Sequence, residues 1–207
     1  MDAYRRKYRF LSPIANSLFR DKPKHDIAMI FQDYAVFPWM TALQNVAFTL
    51  KLRGIHRGER RALALRYLAR VGLAGAENKY PAQLSGGMRQ RLAIARALSV
   101  EPSIILMDEP FAAVDQQTRE RLQQDLVRLW GETGKTIVLV THDLDEAVYL
   151  SDEIIVFSPG PGTVRNRLAV EVPRPRKRDD PALLALRERV AAIYRYDQEH
   201  ASDSGEI

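Results

Sequence analysis

Residues 84–115, LSGGMRQRLAIARALSVEPSIILMDEPFAAVD, meet two conditions that few folds satisfy together. Ser85, Gly86 and Gly87 stand just ahead of a helical run marked by Leu92, Ala95, Ala97 and Leu98. Backbone N–H groups at such a start have no intrahelical partner and attract anions, and a serine there can both cap and donate. Residues 104–107, Ile-Ile-Leu-Met, then form an apolar run too short for a helix and too continuous for a half-exposed strand, so the run predicts a central strand of a parallel sheet. Asp108 and Glu109 close that strand at its carboxyl end, where open α/β sheets place their ligands.

The 207 residues suit one domain, or a domain with a sub-lobe, and 46% apolar with 28% charged residues describes a globular chain. Cysteine is absent, which excludes disulfides and thiolate metal sites. No run reaches the length of a transmembrane helix and MDAYRRKYRF lacks the apolar stretch of a signal peptide, so the expectation is a cytosolic chain unless a partner holds it at a membrane. The net charge of +5 gathers at Arg5, Arg6, Lys7 and Arg9 and again at Arg174, Arg176, Lys177 and Arg178. No aromatic platform accompanies the second cluster, so these charges read as solvated faces and nucleic acid is not an expected partner.

Taken in order, residues 1–24 fit no pattern, broken by Pro13 and by the loop-like DKPK. A strand is predicted over 27–31, then amphipathic helices between 41 and 79, one of them over 60–71 closing at Gly72. A helix follows over 118–130, a buried strand over 137–140, a short helix from Leu144, a strand over 153–157 and the turn SPGPG at 158–162. PRPRKRDDP at 173–181 leads to a last helix, in which Leu183, Leu184, Leu186, Val190 and Ile193 recur at helical spacing and predict packing on the core; fraying is expected from about 198.

LSGGMRQR resembles the signature motif of ATP-binding-cassette ATPases, IILMDEP their Walker B strand with its catalytic glutamate, and FAAVD their D-loop. Gln32 in FQDYAVFPWMTALQNVAF resembles their Q-loop, and Thr141-His142-Asp143 after a strand resembles their H-loop. The resemblance implies an α/β fold: a P-loop NTPase (RecA-like) core, incomplete at its N-terminal part, with the family's α-helical subdomain. It divides the chain into a divergent segment 1–24, an ATPase-like domain 25–165 with the helical subdomain inserted at about 38–98, and a linker and helix over 166–207. It also implies the roles. Asp108 holds Mg²⁺ through water, Glu109 is the general base, His142 and Gln32 order the γ-phosphate and metal, Ser85, Gly86, Gly87 and Gln90 meet nucleotide, and Asp115 links two sites.

The partners so implied are a transmembrane permease, a second ATP-binding subunit paired head to tail and, indirectly, a periplasmic or lipoprotein substrate-binding protein. The place implied is the cytoplasmic face of the inner membrane, peripherally. YAVFPWMTALQNV with EVPRPRKRDDP looks most like the nitrate, sulfonate and taurine importers. A phosphate cradle of the form GxxxxGK[ST] does not occur; the nearest string, GETGKT at 131–136, has Leu129 where the first glycine belongs and reads as a turn before a strand. ATP and Mg²⁺ are therefore expected to bind weakly, or only in a composite site with a partner. Three readings stay open: a working import ATPase, a non-catalytic cassette that docks on a permease or on an intact ATPase, and a truncated or misassigned reading frame in place of the first 20 residues.

Overall fold

The computed structural model describes residues 27–158 and 163–203; segment 1–24 and most of the 158–162 turn lie outside them. Two compact units divide between Thr141 and His142.

In the first unit β1 (Ile27–Ile30), β2 (Ile104–Asp108) and β3 (Thr136–Val140) form a parallel sheet in the order β1-β2-β3. Ile30 pairs with Met107 and Asp108 with Val140, so the three strands end together at one carboxyl edge. β2 is central, as its unbroken apolar run predicts, with Ile104, Ile105 and Met107 buried. β3 departs from expectation. It is half-exposed along 137–140, because among the described residues it has a sheet neighbour on one side only.

Helices α1 (Ala42–Leu52), α2 (Arg57–Arg70), α3 (Gly86–Ser99) and α4 (Gln116–Thr133) complete this unit. Thr41 and Gln44 start α1 with a reciprocal capping box, the Gln44 N–H donating to Thr41 Oγ1 at 3.2 Å and the Thr41 N–H to Gln44 Oε1 at 2.8 Å. α4 outruns the predicted 118–130 at both ends, from an Asp115 cap to Gly134 in the left-handed region, φ 61°. GETGKT therefore spends its first three residues in helix. Its Lys135 Nζ donates to the Pro102 carbonyl at 2.5 Å and its Thr136 N–H to that of Ser103 at 3.0 Å. Both bonds lie at the amino end of the sheet, roughly 15 Å of strand from Asp108.

The second unit holds α5 (Leu144–Leu150), the antiparallel pair β4 (Glu153–Phe157) and β5 (Val164–Ala169), and α6 (Pro181–Asp203). Leu183 and Val190 of α6 join Val148, Ile154, Val156, Leu168 and Val170 in one core, as their spacing predicts, and the helix continues past 198 to Asp203. β5 has no counterpart in the sequence reading, since of VRNRLA only Leu168 is buried.

Arg176 corrects the reading of the second basic run as a solvated face. Its guanidinium is buried and donates to five carbonyls: Val172 at 2.8 Å, Val148 at 3.2 Å, Tyr149 at 3.0 Å, Ser151 at 2.6 Å and Val170 at 3.3 Å. Arg176→Met keeps the stem volume and leaves those carbonyls without their donor, so it is expected to destabilise the chain by about 3–5 kcal/mol. Denaturant unfolding measures this. A loss under about 1 kcal/mol would show that the guanidinium holds nothing together.

Candidate active site

The carboxyl edge of the sheet carries the polar groups. β1 ends at Ile30 and turns at once, the Tyr34 N–H donating to the Phe31 carbonyl at 2.9 Å, which leaves Gln32 exposed on the turn. β2 ends at Asp108, which is buried, and Glu109 follows with φ 43°. In an extended chain Asp108 and Glu109 would face opposite sides of the sheet; the left-handed backbone at Glu109 breaks that alternation. The conformation is unfavourable for a residue with a Cβ and is held from both sides. The Glu109 N–H donates to the Val140 carbonyl of β3 at 2.9 Å, and its own carbonyl accepts from the Ala112 N–H at 3.3 Å. Its carboxylate accepts from Gln32 Nε2 at 3.4 Å, so the structure brings Gln32 and Glu109 together across the ends of two strands.

This arrangement suits water activation and a hard cation. Gln32 donates one amide N–H to Glu109, and Asp108 ends the neighbouring strand at the same edge of the sheet. No cluster of three or more His, Asp or Glu side chains that could cage a metal forms among the described residues. That donor set fits Mg²⁺, which takes one or two carboxylates and fills its remaining positions with water and phosphate oxygens.

The 84–87 segment forms the start of α3. Ser85 is its N-cap, with Oγ accepting from the Met88 N–H at 3.2 Å, and the residue is exposed. The two glycines have a second duty that the motif alone does not state. A Cβ on Gly86 would sit 3.4 Å from Val114 Cγ1, and one on Gly87 would sit 2.7 Å from Thr118 Cγ2. α3 therefore presses on the stretch leading into α4, where Asp115 caps the helix by accepting the Thr118 N–H at 3.0 Å. That bond holds the Asp115 carboxyl below its ordinary pKa. Thr118 is fixed from both ends because its hydroxyl also bonds Asp115. Gly87→Ala is thus expected to cost about 1–3 kcal/mol of stability, read as a fall of several degrees in Tm, and Thr118→Ser, which removes Cγ2, to restore most of it. An unshifted Tm in Gly87→Ala would refute the close approach.

Gln90 lies fully buried in α3, and neither atom of its amide has a hydrogen-bond partner. It stands inside the packing while Ser85 stands at the surface. His142 comes two residues after β3, opens the second unit and is exposed.

Sequence reasoning missed how firmly the segment after Gln32 is held. Asn45, fully buried on α1, accepts the Phe37 N–H at 2.9 Å and donates to the carbonyls of Phe37, Met40 and Thr41 at 3.1, 3.0 and 3.1 Å. Arg96 of α3 donates to the Ala35 carbonyl and stacks over the Phe37 ring at 4.6 Å, with burial lowering its pKa. Tyr34 and Ala35 are both left-handed, φ 65° and 45°, and Trp39 is 68% exposed on the loop so pinned. The Thr41-x-x-Gln44 pattern was the available signal for that boundary.

Comparison with known proteins gives this edge a context. A family model described as ABC transporter matches residues 13–112. The taurine import ATP-binding protein TauB of Chromobacterium violaceum is 46% identical over 178 residues, covering 82% of this chain and 68% of that protein. TauB of Yersinia pestis is 43% identical over 194 residues, covering 87% and 76%. The chain belongs to the ABC transporter family. An uncharacterized ABC transporter ATP-binding protein of Methanocaldococcus jannaschii is 47% identical over 171 residues, and the chain spans 64% of its length. Among solved structures, a dimeric ATP-binding cassette in a post-hydrolysis state bound to ADP and Pi aligns at TM-score 0.61 and 38% identity, covering 77% of this chain and 68% of that one. The α/β architecture is thus that of an ABC cassette.

Proposed function

We propose that the chain is the ATP-binding subunit of an importer for a small oxyanion or organosulfonate, of the nitrate, sulfonate or taurine type, in which ATP hydrolysis drives transport. The observation that carries this reading is the Gln32 amide bonded to Glu109 at the carboxyl edge of the sheet, in a chain 43–46% identical to taurine import ATP-binding proteins. Glu109 would take the proton of a water that attacks the γ-phosphate as the β–γ bond breaks and ADP leaves, with Gln32 fixing the orientation of Glu109, and Asp108, through water, and Gln32 would hold the cation. Mg²⁺, when bound, neutralises charge on the phosphates. His142 steadies the γ-phosphate, Ser85 and Gly87 face nucleotide from the opposite subunit, and Asp115 joins the two sites. Because no GxxxxGK[ST] occurs in the 207 residues, nucleotide at this chain's own Glu109 is held weakly, while nucleotide gripped by the phosphate loop of a second ATP-binding subunit is closed over by Ser85 and Gly87 of this chain.

The remaining parts are a transmembrane permease and, through it, a substrate-binding protein. No described helix is long and apolar enough to cross a membrane, which accords with a peripheral subunit carried by that permease. The pinned loop that exposes Trp39 is the surface offered to it. The test is reconstitution in proteoliposomes: the permease and binding protein of a taurine importer, with this chain and a P-loop-bearing relative, are expected to take up taurine in an ATP-dependent manner. Uptake no greater than with the same permease, binding protein and amount of the relative but without this chain would sink the reading.

A further inference from the structure

Residues 51–70, KLRGIHRGERRALALRYLAR, hold seven Lys and Arg against the single Glu59, a net of +6 with His56 neutral. The whole chain carries +5, so the other 187 residues together carry −1. This helical hairpin, the last turn of α1, a short connection and α2, is therefore one of two strongly basic stretches, the other being residues 1–24 with a net +5, and the rest of the chain is net acidic.

Some of that charge is used internally. Arg53 pairs with Glu101 at 2.7 Å and Arg70 with Glu132 at 3.3 Å, and Arg60 Nε donates to the Ile55 carbonyl at 2.7 Å. Lys51, Arg57 and Arg61 are exposed and make no ion pair among the described residues. Arg57 and Arg61, four residues apart, share one side of α2 at its first turns, and Lys51 stands just across the connection. Between them Leu52 is 71% exposed, the most open of the large apolar side chains described.

Cations around an exposed aliphatic group fit a particular partner. A nucleic acid would be met by the same charges but gains from a free aromatic face, and the one aromatic residue of the stretch, Tyr67, is bonded to Glu101 through its hydroxyl at 3.1 Å. A membrane surface offers anionic phosphates for the cations and an interfacial layer for the leucine. We propose that the tip of the α1–α2 hairpin binds anionic lipid headgroups, Lys51, Arg57 and Arg61 pairing with phosphates while Leu52 enters the interfacial layer. The inference deepens the reading of the chain as a peripheral subunit at a membrane and rests on it for its biological setting; it adds a lipid contact that does not depend on a permease.

The test uses the full chain and vesicles without permease. Co-sedimentation with phosphatidylglycerol-containing vesicles is expected to exceed that with pure phosphatidylcholine at least about tenfold and to fall as salt rises from about 0.1 to about 0.5 M. Each cation removed is worth about fivefold, so the triple variant Lys51→Glu, Arg57→Glu, Arg61→Glu loses about a hundredfold or more. Arg66→Glu makes one such charge reversal on the opposite side of α2 and is expected to lose less than about twofold, against about fivefold or more for the single reversal Arg57→Glu. All these positions are exposed, and unchanged thermal unfolding of each variant confirms that the loss is not one of fold. Equal binding to both vesicle types, or equal loss in Arg66→Glu and the triple variant, overturns the proposal. So does binding to a DNA duplex as tight as to the anionic vesicles and abolished by the same triple variant, which would assign the patch to nucleic acid. If vesicle binding fails while taurine uptake with a permease succeeds, this inference falls and the importer reading stands; the reverse pattern separates them the other way.

Discussion

An ATP-binding relative whose own signature serine is replaced by arginine is expected to regain ATP hydrolysis when this chain is added to it. In the head-to-tail pairing of the proposed subunits, one nucleotide is gripped by the relative's own phosphate loop and closed over by Ser85, Gly86 and Gly87 of this chain. What those residues need, they have locally. Ser85 is exposed at the start of a 14-residue helix, its hydroxyl proton is left to donate while its oxygen accepts the Met88 N–H, and the positive end of the helix faces the same way. The 2.7 Å approach of the Gly87 Cβ position to Thr118 holds that start in place against the first turn of α4. None of this requires nucleotide on this chain's own edge. Restoring two charge-assisted bonds at about 1.5–3 kcal/mol each corresponds to a gain of roughly a hundredfold or more in rate over the disabled relative. Ser85→Arg in the added chain is expected to abolish it. A proven heterodimer with no gain in rate would contradict this use of the α3 start.

The parts of this molecule that sequence reveals are those in which side-chain type and spacing coincide with burial. The run 104–107 can only be satisfied by apolar cover on both faces, and β2 is the middle strand. The spacing of Leu183 and Val190 marks the buried side of α6. What stays hidden is set by contacts distant in the chain. Arg176 sits in a run of basic residues and nothing in its neighbours distinguishes it from Lys177, yet five carbonyls from 148 to 172 converge on it. Glu109 carries no glycine or asparagine to signal a left-handed backbone; the bond to Val140 of β3 imposes it. Gln90 shows the opposite case. Gly87, Gln90, Ile94 and Ala97 fall on one helical stripe, and that periodicity places Gln90 inside, where it lies, although the motif draws attention to its amide. The charge at 51–70 is likewise legible to a count, but the count does not say that Arg53 and Arg70 are paired while Lys51, Arg57 and Arg61 are exposed.

The second large effect concerns ATP itself. A phosphate loop of the GxxxxGK[ST] type surrounds triphosphate with backbone N–H groups and a lysine. Losing three or four such charge-assisted bonds, at about 1.5–3 kcal/mol each, removes at least about 5 kcal/mol, which is nearly four decades of affinity. The one Gly-Lys-Thr in this chain cannot substitute for it. Gly134 ends α4, Lys135 is committed to the Pro102 carbonyl, and both stand at the amino end of a sheet whose carboxylates are at the other. The central claim is that Gln32, Asp108 and Glu109 form a hydrolytic edge whose phosphate grip must be supplied from outside the 207 residues. Calorimetric titration of the purified chain with Mg²⁺ and ATP tests it most directly. No saturation below about 1 mM is the expected result. A dissociation constant near 1 μM for the chain alone would contradict it, because the described residues would then be holding a triphosphate by means that none of these contacts provides.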